Sequence, residues 1–569
     1  MLSIIKKMIN DNIYYYYVES KRVNGKPRYV NQKYLGTAET ILEKLNNMAT
    51  IKEPLYSIVL DYADVALLYD IALRLNVVAI INKHARKRNQ GTTIGEYALF
   101  AAINRAVAPT SKNSMAHWFS QTILSRLMPL KESALIPQNY WNHMRVTDDV
   151  LSNIEDELVR KIVDTYKVDT SHLIYDATNS YTYIDTTQES KLAKRGHSKE
   201  KRNDLKIVGL SMMITPDCNI PLLYDTYQGN TPDAKQFSVM LEKLKARYEK
   251  LTCQKTDITI VFDRGNNSQD NIDILERESF PLYYVGGLKR NQCEDLFAYD
   301  KDLFIPLTGE HFKNTYAFRT TKNVYNRDMT IVVVYNQKLY DGQMQGILNN
   351  IEKTTAHLND IQKRLLNRTY GLVTKGRTPT IASIDKQVNA ILATEFMGDI
   401  FEYEITTHNN GIPFLKYSLD ISSLENIQTT ILGKTVLFTN RHDWANEKIV
   451  ASYRSAWHVE HTFRQMKDTD HLTVRPLFHW TDQKIKVHIF YCVLAYRLCC
   501  LLKKELLAEG ITDSLNQILE QLHGLKYIIT IFGTSKTDIA CSFSKGSALA
   551  ETIAILYDLK RKYRPDFVI

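Results

Sequence analysis

Cysteine is scarce and unpatterned in this chain. Its seven residues, Cys218, Cys253, Cys293, Cys492, Cys499, Cys500 and Cys541, are odd in number and form no C-x-x-C pair. That excludes a disulfide framework, offers no structural zinc site and fits a reducing compartment. The first residues, MLSIIKKMINDN, lack the long apolar core of a signal peptide, so the cytoplasm is the expected location. Long hydrophobic runs are also missing. The most apolar stretch, about Val487 to Leu502, contains His488 and Arg497 and reads as a buried helix too short and too polar to span a bilayer, so no membrane partner is expected. No internal repeat or low-complexity tract is present. Nor is there a strong charge of one sign: 72 Lys+Arg against 63 Asp+Glu leave a net +9, a mild bias towards polyanionic partners.

What is present is ordinary globular composition, 44% apolar and 24% charged, over 569 residues, which is too long for one core and implies three or more domains. Residues 13 to 35 alternate around Asn24-Gly25-Lys26-Pro27 and predict a β-hairpin in an N-terminal region of residues 1–50. Residues 51–165 have helical periodicity, with a basic patch at Lys83, His84, Arg86, Lys87 and Arg88 that suits a DNA-binding helical domain. The run HLIYDATNSYTY predicts a strand ending at Asp176. Strands at 207–215 and 220–228 follow, joined by the turn Pro216-Asp217-Cys218-Asn219, then a helix from Asp233 to about Lys250, and a second apolar run that ends at Asp263 before Gly265. This order implies a mixed sheet with helices on its faces. Acids at strand ends of such a sheet stand where active sites are usually built. A stretch of β runs, a polar helix from about Gln343 to Arg368 and a Gly/Pro/Thr-rich linker at 371–380 then interrupts the pattern and reads as an inserted domain.

The segment YRSAWHVEHTFRQMK follows the next strand. On one helix, Ile449, Ala456, Val459, Phe463 and Met466 would form an apolar packing stripe. Tyr453, Trp457, Glu460, Arg464 and Lys467 would form a second stripe, in which one acid stands among two aromatics and two cations. Asp176, Asp263 and Glu460 are thus three acids that the fold could bring together. Clustered carboxylates repel unless cations neutralise them, and carboxylate oxygens suit Mg²⁺ or Mn²⁺.

These motifs resemble the DDE transposases of bacterial insertion sequences, in the IS-four superfamily and its sixteen-thirty-four branch. The family signature Y-x-x-R-x-x-x-E-x-x-x-x-x-x-K is matched by Tyr453, Glu460 and Lys467, and the two family aspartates by Asp176 in LIYDATN and Asp263 in VFDRG. The segments GHSKEKRNDLK, YQGNTPDAKQF and VRPLFHWTDQKIKVHIF are also similar. The signature arginine is replaced by Ala456, and Arg454 or Arg464 is the candidate substitute.

The resemblance implies an α/β fold with a ribonuclease H-like catalytic core interrupted by an insertion domain, behind a mainly helical N-terminal domain. The core would be residues 166–290 and 435–510, the insertion 291–434, and residues 511–569 a C-terminal region for dimerisation or DNA contact. It implies that Asp176, Asp263 and Glu460 are catalytic and hold two Mg²⁺ (or Mn²⁺), and that the chain cuts transposon ends and joins the 3′-OH to target DNA, as a homodimer on DNA. Tyr453, Trp457, Arg464, Lys467, His197 and Lys199 would contact DNA, Trp457 by stacking on a displaced base. The competing readings are a transposon-derived DNA-binding protein without catalysis and an unrelated metal-dependent nuclease.

Overall fold

The structure is a computed structural model that describes residues 2–23, 26–49, 53–128, 130–185, 189–251, 257–277, 280–299, 301–468, 470–475, 477–533 and 538–564. The chain divides into two units, Met1–Ala63 with Gln121–Leu127 and Glu520–Ile569, and Asp64–Ser120 with Met128–Leu519.

In the first unit, strands β1 (Leu2–Ile9), β2 (Asn12–Val23) and β3 (Lys26–Gly36) form an antiparallel sheet in that order. The N-terminal region is therefore three strands and not a hairpin alone. Asn10 and Asp11 both take the left-handed conformation that joins β1 to β2, a conformation asparagine and aspartate tolerate better than most residues. Asn24 and Gly25, the centre of the expected hairpin turn, lie outside the described residues. Strand β4 (Tyr56–Asp61) belongs to a separate sheet of this unit, taken up below.

The second unit is built on nine strands. Strands β5 (His172–Thr182), β6 (Lys206–Ile214), β7 (Pro221–Gln228), β8 (Thr259–Phe262) and β9 (Tyr283–Gly287) are joined by β10 (Ile305–Pro306), β11 (Thr315–Val324), β12 (Arg327–Asn336) and β15 (Lys434–Thr439), in the order β10-β11-β12-β15-β9-β8-β5-β6-β7. β5, β8 and β9 are parallel neighbours, and every other pairing is antiparallel. Every residue of β8, TIVF, is buried, as a central strand covered on both faces requires. Helices Asp233–Leu251 and Gln269–Leu275 connect β7 to β8 and β8 to β9.

The inserted part is smaller than the sequence pattern implied. β10, β11 and β12, all within residues 291–434, belong to the main sheet. TIVVVYN is an unbroken apolar run because Ile331, Val332, Val333 and Val334 are all buried in it. Only the residues after β12 make a separate core: the helices Gln337–Thr369 and Ile381–Leu392 and the hairpin β13 (Phe401–Thr407) and β14 (Pro413–Leu419) enclose Leu358, Ile361, Val388, Ile400 and Leu415.

The apolar helix is Asp482–Ala508, and by length and composition it could cross a membrane, but nearly all of it is enclosed by protein. Its buried polar groups are satisfied: Arg497 makes a two-pronged ion pair with Glu155 at 2.8 and 2.7 Å, and His488 meets the Val474 carbonyl at 2.9 Å. In the basic patch, Lys83 and His84 both pair with Glu157, at 2.8 and 2.7 Å. Back in the first unit, β16 (Lys526–Ile531) pairs with both β4 and β17 (Ile539–Phe543), so the end of the chain shares a sheet with residues near its beginning.

Candidate active site

The placement of the two aspartates follows from strand register. β6 pairs with β5 along its length, from Ile174↔Ile214 to Thr182↔Lys206, so β5 does not end at Asp176 as the sequence reading expected. β8 stops earlier. Its last pair with β5 is Ile174↔Val261, and two residues further along each strand stand Asp176 and Asp263. Parallel neighbours lie about 4.8 Å apart, so the two acids flank the fork where β5 and β8 part.

The electrostatics agree with that geometry. The Asp176 carboxyl is pushed up to about 6, first by burial and then by the charges of Asp233 and Asp263, against the opposing pull of Lys199 and the Ala177 N–H. Lys199 stays close because its Nζ donates to the Ala177 carbonyl at 2.5 Å, and it lies 3.6 Å from Asp233. Asn179 clamps this turn to β5, its Nδ2 donating to the His197 carbonyl at 3.0 Å while the Lys199 N–H donates to its Oδ1 at 3.1 Å. The His197 side chain is exposed.

Asp263 is exposed and opens the short turn Arg264–Asn266. The Tyr453 hydroxyl donates to its Oδ1 at 3.1 Å. Burial, then Asp263, and more weakly Glu460, push the Tyr453 phenol up. Tyr453 lies over the end of β9, where a Cβ on Gly287 would stand 2.4 Å from its hydroxyl oxygen. Only glycine leaves room for the ring there.

The segment that carries Tyr453 and Glu460 is two helices, Asn446–Arg454 and Trp457–Gln465, and not one. Between them the bonding tightens to three-residue steps: the Ala456 N–H reaches the Tyr453 carbonyl at 3.1 Å and the His458 N–H the Ser455 carbonyl at 2.9 Å. Ile449, Val459, Phe463 and Met466 pack inward as expected. Ala456 does not. It is half-buried and lines a cleft of about 560 Å³ with Tyr453, Arg454, Trp457 and Glu460, where Lys313 and Lys338 also stand. The tight turn shifts the phase that a uniform helix would have kept.

Asp176 and Asp263 are brought together, but Glu460 is not brought into a ligand set with them. It is exposed, and among the described residues no three His, Cys, Asp or Glu side chains lie together as metal ligands do. The aspartate pair by itself fits a hard divalent cation. Its donors are carboxylate oxygens, and a bound cation would favour the charged form of Asp176 that burial first, and Asp233 and Asp263 after it, oppose.

The expected DNA contacts also separate. Trp457 is 56% exposed and stacks on His458 with ring centroids 3.9 Å apart, so it is a surface aromatic and not a core one. Arg464 is exposed. Lys467 points inward instead of towards solvent: its Nζ donates to Thr178 Oγ1 at 2.8 Å and the Asn179 carbonyl at 2.9 Å, and pairs with Glu200 at 3.2 Å. Arg475 joins this network through Glu200 and the Lys467 carbonyl. Tyr453 is occupied by Asp263, and Arg454 by the His311 carbonyl and Thr315 Oγ1, at 3.0 and 2.9 Å. The sequence reading missed Glu200, and it placed Asp233 only at the start of a helix. No local signal marks either residue, because their partners are distant in sequence.

A family model described as the transposase DDE domain matches residues 167–498. No curated protein matches the chain. Among solved structures, the piggyBac transposase synaptic complex with hairpin DNA is similar at 10% identity over 88% of this chain and 86% of that one, with a TM-score of 0.38. The Mos1 transposase paired-end complex with left transposon end is similar at 11% identity over 35% of this chain and 60% of that one, with a TM-score of 0.14.

Proposed function

This chain belongs to the transposase DDE domain family, and on that premise we propose that it is a DNA transposase that cuts the ends of an insertion sequence and joins the freed 3′-OH to target DNA. The observation that carries this reading is the β5/β8 register, which sets Asp176 beside Asp263. The order β7-β6-β5-β8-β9, three antiparallel strands followed by two parallel ones, supports a ribonuclease H-like core. The branch assignment, IS-four and sixteen-thirty-four, rests on the signature residues Tyr453, Glu460 and Lys467.

In this reading Asp176 and Asp263 would hold Mg²⁺, with Glu460 as the third carboxylate that the signature assigns. The ions would activate the attacking oxygen and stabilise the leaving oxygen of the phosphodiester. The chain's own residues prepare the place. Tyr453 holds the Asp263 carboxylate in one orientation, Lys199 offsets the repulsion at Asp176, and the Lys467–Glu200–Arg475 network fastens the Glu460 helix to β5. Trp457, Arg464 and His197 are exposed and face incoming DNA; the protein acts as a homodimer on two transposon ends, in the cytoplasm.

The test is strand transfer with purified protein, Mg²⁺ and labelled DNA carrying the element's terminal inverted repeats. Joined product is expected, and Asp263→Asn should abolish it; cleavage that survives this substitution would refute the assignment. The separation of Glu460 from the aspartate pair favours one other reading, a DNA-binding protein without catalysis. Binding to the repeats with no cleavage would establish that one.

A further inference from the structure

Arg105, on the helix Ile94–Val107, and Lys112 are 6% and 7% exposed. A buried cation costs several kcal/mol unless an anion accompanies it. Elsewhere in this unit the anion is supplied, as Glu155 is to Arg497 and Asp156 to Arg247. Arg105 and Lys112 have none among the described residues. Arg105 gives one Nη2 bond to the Thr110 carbonyl and leaves its Nε without a partner, and the Lys112 ammonium stands over the face of Tyr491, 6.0 Å away.

Both line a cavity of about 830 Å³, within the range of about 300–1,000 Å³ usual for small-molecule sites. Lys484 and Arg475 add two more cations to its wall, of which Arg475 is already paired with Glu200, and among the described residues no Asp or Glu lines it. The uncompensated positive charge is felt by its neighbours: His479 is depressed to about 3, by burial first and then by Lys112, Arg105 and Lys484. At the mouth stand large aromatic faces, with Trp141, Phe478 and Trp480 40%, 58% and 60% exposed. Buried cations without acids call for an anion, and exposed rings beside them call for a planar partner. A nucleotide carries both.

We propose that this cavity binds one unstacked nucleotide of a DNA strand, with its phosphate against Arg105 and Lys112 and its base on Trp480 or Phe478. Tyr181 of β5 and Arg475, which bonds the Lys467 carbonyl, both line the cavity, so it adjoins the strand that carries Asp176. Only the choice of DNA over a free nucleotide rests on the transposase reading.

The full chain is titrated against a fluorescein-labelled single-stranded 20-mer by anisotropy over a range of salt, with thymidine 5′-monophosphate and inorganic phosphate as competitors. Trp480→Ala should weaken binding about 10-fold, as loss of one base stack does. Lys112→Met should weaken it as well and lower the salt slope by about 0.7, one phosphate contact on a single strand. The same variant should melt higher than the parent, because it removes a buried unpaired cation. The mononucleotide should compete better than phosphate. Unchanged affinity and salt slope in both variants would overturn the proposal. Equal competition by phosphate with a silent Trp480→Ala would reduce the cavity to an anion site, and a rise in melting temperature with the mononucleotide but no binding of the 20-mer would overturn the choice of DNA. Failure of strand transfer with both cavity variants still weak in binding would sink the transposase reading and leave the nucleotide site standing.

Discussion

At the scale of single residues, the candidate centre depends on one close approach. Tyr453 reaches Asp263 only because position 287 has no side chain. Gly287→Ala should therefore destabilise the protein by about 1–3 kcal/mol, the usual cost of overpacking. In the Gly287→Ala/Tyr453→Phe double variant the closest clash, with the hydroxyl oxygen, is gone while the ring carbons at 3.0 and 3.3 Å remain, so part of that loss should be recovered. Denaturant melts of the four proteins measure the coupling, and simple additivity would show that ring and glycine do not meet. Lys112 makes a second residue-scale prediction. Its ammonium is depressed from 10.5 to about 7 by burial and by Arg105. Between those values the unfolded chain binds the extra proton, so stability should rise with pH, and below about 7 the full cost is present. The melting advantage of Lys112→Met over the parent should shrink from pH 7 to pH 9; a constant difference would mean the lysine is not depressed.

At the scale of elements, the break at Ser455–Ala456 decides what the signature segment can do. Continuous 3.6-residue periodicity assigned Ala456 to the core, whereas the tight turn exposes it to the cleft that also holds Glu460. Ala456→Arg, which restores the family's residue, should be tolerated, with stability changed by no more than about 0.5 kcal/mol as at other surface positions. It should also tighten binding to duplex DNA and steepen the salt slope by about 0.9, one phosphate contact. A loss of several kcal/mol would return Ala456 to the packing face. Lys467 behaves oppositely: the signature cation is spent inside the protein, on Thr178, Asn179 and Glu200.

At the scale of the whole molecule, Asp176, buried beside Asp263, is a carboxylate whose charge a cation should stabilise. Mg²⁺ should raise the melting temperature of the parent chain, and both Asp176→Asn and Asp263→Asn should abolish most of the rise. An equal rise in all three proteins would place the ion elsewhere. Much of this was legible beforehand. LIYDATN and VFDRG announce buried strands running into acids, and an unbroken apolar run such as TIVF has little choice but the middle of a sheet. The extent of the insertion was less legible, because β10, β11, β12 and β15 read as local β runs whose partners are far away in the chain.

What the sequence determined by itself is local: which runs are strands and helices, and which acids end or interrupt them. Those follow from periodicity and residue chemistry within a few turns of chain. What only the tertiary structure decided is convergence. Asp176 meets Asp263 through a strand register, Lys467 turns inward because Glu200 and Asn179 wait for it, and Arg105 and Lys112 share a cavity that no acid lines among the described residues. Each is a meeting of distant residues, set by how sheets and helices pack and not by any spacing along the chain.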